Sequence, residues 1–157
     1  MNHQNNYWLI IFVFALVSCG PKVVYETNIN ISDTGWHKDS VAVFKSEVTE
    51  LNRDYHLLLQ PNVNMDYAYN NIWFFIDAIA PSGHIQRDTV SCYLSAVDGE
   101  MYGNKQWFSD DYISIQPYKL NIRFPEKGVY TYRIAQGMRD EKIMGLNSIG
   151  LKIIEVE

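Results

Sequence analysis

Cysteine is scarce in this 157-residue chain, with Cys19 and Cys92 the only two. Thiols so far apart form no metal-ligand or redox motif. Positive charge is also thin: 13 Lys and Arg stand against 18 Asp and Glu, for a net charge of −5, and no two cations are adjacent. Phosphate backbones need clustered cations, so a nucleic-acid partner is disfavoured. No apolar stretch reaches the ~20 residues that span a bilayer as a helix. Also missing are a Gly-x-Ser-x-Gly elbow, a P-loop and a dinucleotide fingerprint, which leaves nucleophilic hydrolysis and nucleotide cofactors without support. Beyond residue 18 the histidines are His37, His56 and His84, each alone and outside metal-ligand spacing. No cofactor, no metal and no catalytic residue is expected.

What is present begins at the N-terminus. Residues 9–17 form an uncharged apolar run of signal-peptide core length. The run ends in Leu16-Val17-Ser18-Cys19-Gly20, which looks like a lipobox: a branched apolar residue, a small residue at the cut, then the cysteine whose thiol accepts lipid. The leader before it holds His3 but no Lys or Arg. The expectation is a signal peptide over 1–18, a lipid-anchored tether over 19–24 with Cys19 as the lipidation site, and one β domain over 25–157. Each buried CH₂ of an acyl chain contributes about 0.8 kcal/mol, so a multiply acylated Cys19 holds the protein on a membrane. A tether this short reaches at most ~20 Å. Cys92 then has no partner, and its place in Thr89-Val90-Ser91-Cys92-Tyr93-Leu94 predicts an inward, buried, inert thiol.

Beyond residue 22 the hydrophobic period is two. Residues 41–48 and 118–124 alternate, as half-buried strands do. Residues 71–79 are apolar on both parities, which predicts a central strand covered on two sides. Further strands are expected over 55–60, 85–94, 112–116, 129–135 and 149–156, with a weaker one over 23–31. Turn chemistry separates them at 33–35, 52–54, 81–83, 98–99, 125–128 and 147–148. Helix is scarce, with 96–103 and 135–143 irregular. The fold class is all-β, an antiparallel two-sheet β-sandwich, jelly-roll-like or immunoglobulin-like. Phe44, Val48, Phe74, Ile76, Leu120, Ile122, Ile134 and Leu151 should point inward.

Aromatic residues make up 14% of the chain. Most belong in a core, but Trp36, Tyr67, Tyr69, Tyr102 and Trp107 fall in polar, loop-like surroundings where amphipathic rings make protein or glycan contacts. They are the candidate interaction aromatics, and aromatics capping the ends of the sandwich explain them equally well. Asp110-Asp111 beside Trp107-Phe108 invites a glycosidase reading. Neighbours on a strand point to opposite faces, so this pair is not a catalytic couple if extended, and a solvated loop accounts for it.

Several motifs occur together in a fixed order. They are Ser18-Cys19; Gly35-Trp36-His37-Lys38-Asp39; Asn70-Asn71-Ile72-Trp73-Phe74; Arg123-Phe124-Pro125-Glu126-Lys127-Gly128-Val129-Tyr130-Thr131; Gly137-Met138-Arg139; and the stretch 145–154. With them the chain resembles the gliding motility lipoprotein family, GldH, of Bacteroidetes. Where family members carry Trp-Leu-Gly after Asp-Gly, this chain has Asp98-Gly99-Glu100-Met101-Tyr102-Gly103. The resemblance implies a non-enzymatic accessory lipoprotein of the gliding machinery and the linked type IX secretion system. Its implied partners are a membrane, reached through lipid on Cys19, and other envelope motility or secretion proteins, and its implied place is the outer membrane. A glycan- or peptide-binding β-sandwich lipoprotein is the alternative.

Overall fold

The computed structural model describes residues 21–156, so the apolar run, the lipobox and Cys19 lie outside the described residues. The described chain is all strand and loop. It runs β1 (Lys22–Asn30), β2 (Trp36–His37), β3 (Val41–Val48), β4 (Asp54–Val63), β5 (Asn71–Ile79), β6 (Ile85–Tyr93), β7 (Asn104–Lys105), β8 (Tyr112–Ile113), β9 (Gln116–Ile122), β10 (Gly128–Gln136), β11 (Lys142–Ile143) and β12 (Leu146–Val156). One sheet has the order β1-β12-β4-β8-β7, with β9 also on β4; the other has the order β3-β10-β5-β6; β2 and β11 form a small ribbon. Every pairing is antiparallel. The expected all-β, antiparallel sandwich class is what the chain adopts.

Period-two patterning explains the layers. In β3, Ala42, Phe44, Ser46 and Val48 are buried while Val41, Val43, Lys45 and Glu47 are exposed. Inward residues of both sheets, among them Phe44, Leu57, Leu59, Phe74, Ile76, Tyr132, Ile134, Ile149 and Leu151, meet in one core. Cys92 lies fully inside it as a free thiol, as its alternation predicts. Burial pushes that thiol up to about 12.

The two ends of the sandwich differ. Lys22 pairs with Glu155, Asp54 with Val156 and Gly128 with Val48, and Lys22, Val48, Tyr55 and Phe124 line one shallow depression. They define the near end, where β1 starts. Because β1 begins at Lys22, residues 22–24 of the expected tether are part of the sheet. Val63, Asn71, Val41 and Gln136 mark the far end. There Tyr67 Oη donates to Asn71 O at 2.9 Å, tying the loop after β4 to the start of β5, and Asn64 N donates to Gly145 O at 2.9 Å, tying the end of β4 to the residue before β12.

Two expectations fail, each for a physical reason. Leu120 is 51% exposed rather than inward, whereas Ile122, as expected, packs against the core, partly buried. Against β4, the β9 register moves by one residue between Pro117 and Lys119 and again between Lys119 and Ile122. Each inserted residue is a bulge that reverses the side-chain alternation. The second contains Asn121 at φ +51°, in the left-handed region, and its amide donates to His56 Nδ1 at 3.0 Å. The run expected over 112–116 splits into β8 and the start of β9 without any change of register against β4. The second failure is β5, which is covered on one side only: Ile72, Phe74 and Ile76 are core, but Trp73 is 42% and Phe75 48% exposed.

Candidate functional site: an aromatic cleft at the far end

Two stretches distant in sequence, 69–73 and 137–140, meet at the far end. β5 and β10 are neighbours paired through Gln136 and Phe74, and the chain leaving β10 folds back over Trp73. Gly137 N donates to Trp73 O at 2.6 Å, and Trp73 N to Met138 Sδ at 3.4 Å. A Cβ on Gly137 would sit 3.3 Å from the Phe75 ring and from the Cβ and carbonyl oxygen of Trp73, so a side chain there would crowd both residues. Gln136, buried at 2% exposure, pins the turn from below. Its Oε1 accepts from Met138 N at 2.7 Å and its Nε2 donates to Asp140 O at 3.0 Å.

The cleft so formed has a volume of about 480 Å³ and is lined by Tyr69, Asn71, Trp73, Met138, Arg139 and Asp140. Tyr69 donates its hydroxyl to the Asp140 carboxylate, and that bond, with some desolvation, pushes the phenol above its ordinary value. Tyr67 supports Tyr69 edge-on, ring centres 5.9 Å apart, and burial raises its own hydroxyl strongly. The floor continues onto the outer face of the four-stranded sheet as a shallow hollow lined by Val41, Phe75, Ala135, Asp77, Arg87 and Arg133. Asp77 accepts from Arg87 through both oxygens, at 2.6 and 3.0 Å. That bidentate hydrogen bond holds the Asp77 carboxyl below the usual carboxylate range. The site is thus an apolar aromatic shelf with a polar border, suited to binding rather than to proton transfer.

The candidate aromatics separate by location. Trp36 belongs to the core at 3% exposure, its ring 6.1 Å from Phe74 and its Nε1 donating to Ser40 O at 3.0 Å, so it offers no face to a ligand. Its polar neighbours mislead because a core side chain can sit in a two-residue ribbon between turns. Tyr67 and Tyr69 lie at the cleft, whereas Tyr102 and Trp107, 46% and 94% exposed, stand on another part of the far end. Sequence reasoning missed Trp73, Phe75 and Met138. The available signal was the parity of Asn71, Trp73, Phe75 and Asp77: polar residues at both ends of that row mark a wet face.

The polar residues considered for chemistry stay apart. Asp110 pairs with Lys105 Nζ at 2.9 Å on an exposed loop. His37 lies 3.5 Å from Asp39 and 3.4 Å from Glu141, all three solvent-facing. Among the described residues no three His, Cys, Asp or Glu side chains are placed to share a metal ion.

A sandwich whose β1 starts at one end and whose aromatic shelf lies at the other is an antiparallel β-sandwich domain. Its particular kind follows from sequence comparison. The family model described as GldH lipoprotein matches residues 23–153, and the chain belongs to that family. It is 29% identical to the gliding motility lipoprotein GldH of Flavobacterium johnsoniae over 98% of both chains. To the gliding motility lipoprotein GldH homolog of Christiangramia forsetii it is 30% identical, over 92% of this chain and 93% of the other. Among solved structures, one of the infectious bursal disease virus Gx strain aligns at 11% identity and a TM-score of 0.36, over 87% of this chain and 30% of the viral one, a likeness too loose to bear on topology.

Proposed function

We propose that this chain is a lipid-anchored, non-enzymatic accessory protein of gliding motility and the linked type IX secretion system, which holds other envelope proteins in place from the outer membrane. Membership of the GldH lipoprotein family over 23–153 carries the reading. The layout supports it. With lipid on Cys19, only Gly20 and Pro21 separate the anchor from β1, so the domain stands on the membrane and presents the Trp73–Phe75 shelf outward. Confinement raises the local concentration of the shelf, so weak contacts suffice to sustain an assembly.

In a gliding host, deletion of the gene is expected to stop gliding and impair type IX export together, with both restored by the wild-type gene. Trp73→Ser, on a half-exposed ring, is expected to leave folding intact and fail to restore them. Full rescue by a secreted form carrying Cys19→Ala overturns the membrane-assembly role. A folded single substitution at His37, His56 or His84 that removed all activity would argue for catalysis instead. A second reading, glycan binding, draws on the Trp73 ring bordered by Asn71, Arg139 and Asp140. Retention of the protein on cell-wall glycans that is lost in Trp73→Ser, with gliding unaffected, would favour it.

A further inference from the structure

A second feature of the far end is built independently of the cleft. β7 and β8 pair as a short hairpin, Lys105 opposite Tyr112, and Tyr112 in turn lies opposite Val63, the last residue of β4. The loop 106–111 therefore projects past the far end of the sheet. It is held there by Gln106 N donating to Asp111 O at 2.9 Å and by the Lys105–Asp110 ion pair. At its base Gly103 has φ +116°, and a Cβ would lie 2.3 Å from Ile113 O, so the turn closes only around glycine. On this fixed support stand Trp107, 94% exposed, and Phe108, completely exposed. The preceding loop adds a bare Val97.

We propose that this hairpin tip is a plug for an apolar slot rimmed by Lys and Arg on a folded envelope protein. Two large rings left in water contribute nothing to the core, and Trp is among the residues that dominate binding energy once a partner desolvates it. Charge sets the kind of partner. Between 97 and 111 the sequence holds four carboxylates, Asp98, Glu100, Asp110 and Asp111, and a single cation, Lys105, which is already paired with Asp110. The rings therefore carry an acidic collar, matched by a cationic rim. An anionic lipid surface would repel the same collar, and the tip points away from the end where β1 begins. The inference rests on the adaptor reading and supplies the chemistry of one partner.

The test uses the full lipidated chain in intact envelopes, with a photoreactive phenylalanine replacing Trp107 and, as control, replacing exposed Glu47 on β3. The expected result is one discrete protein adduct at 107 and none at 47, with the captured peptide carrying Lys or Arg beside apolar residues. Its yield should fall at least about tenfold with Phe108→Ser, the scale of a hot-spot truncation. It should fall again with Asp111→Lys and with salt raised from about 50 to about 500 mM, since rim charges are screened. Both substitutions lie in an exposed loop, and circular dichroism of each variant checks the fold. An adduct to lipid, to a second copy, or equally strong at 47 overturns the proposal, as does a yield indifferent to Asp111→Lys. The two readings fail differently. Gliding lost on deletion with no adduct at 107 overturns the plug alone, whereas a salt-sensitive adduct with gliding intact on deletion supports the plug and overturns the motility reading.

Discussion

At the scale of single residues, burial and parity decide the consequences. Ile134 is completely buried between the sheets, and Ile134→Ala should destabilise the domain by about 2 to 5 kcal/mol through lost transfer energy and a residual cavity. Leu120 is turned outward by the β9 bulges, and Leu120→Ala should change stability by about 0.5 kcal/mol or less. Urea unfolding of the two variants checks the pair, and equal losses would contradict the bulged register. Asp88 offers a pH-dependent counterpart. Burial alone would raise its carboxyl, but hydrogen bonds from Tyr118 at 2.6 Å and Lys119 at 3.0 Å, the Lys119 charge and Gln86 outweigh it, and the group lies below its ordinary 3.8. A depressed folded value means that the stabilisation is complete above the unfolded value and is lost as pH falls through the folded one, so the window lies below about pH 4. Asp88→Asn should cost about 1 to 2 kcal/mol at pH 6, and the gap to wild type in urea midpoint should narrow on acidification below that point.

At the scale of elements, legibility followed regular alternation. β3 and β10 follow from their residues because nothing interrupts their period of two, and β12 from the alternation of Ile149, Leu151 and Ile153. β9 did not, since a bulge adds a residue without changing hydrophobicity, and its only local trace is an Asn able to take a positive φ. The two-residue strands β2, β7, β8 and β11 are too short to carry any period. β2 and β11 are set by contacts such as Lys38 N to Glu141 O at 2.8 Å, across about a hundred residues of sequence, and β7 and β8 by their pairing with each other and of β8 with β4. The Asp110-Asp111 loop was legible as solvated; the shelf was not, because apolar residues on both parities of β5 read as double cover when one face is left open. The β7–β8 hairpin carries its own prediction. Gly103→Ala forces a Cβ against the Ile113 carbonyl and a strained φ, so the hairpin should open while the core persists. Faster amide exchange confined to about residues 103–114 would register this, and unchanged exchange there would contradict the close approach.

At the scale of the whole molecule, the layout also fixes how the domain bears load. β1 is bound along its length to β12, which spans the long axis of the sheet, by eight register pairs from Lys22↔Glu155 to Asn30↔Ser148. Ladder hydrogen bonds in an antiparallel pair lie perpendicular to the strands. A pull on the N-terminus against a hold at the far end therefore runs along the strand axis. It stresses the whole ladder in shear, all at once, instead of peeling it one bond at a time. The first described strand is in that sense a mechanical clamp against tension entering at its N-terminal end.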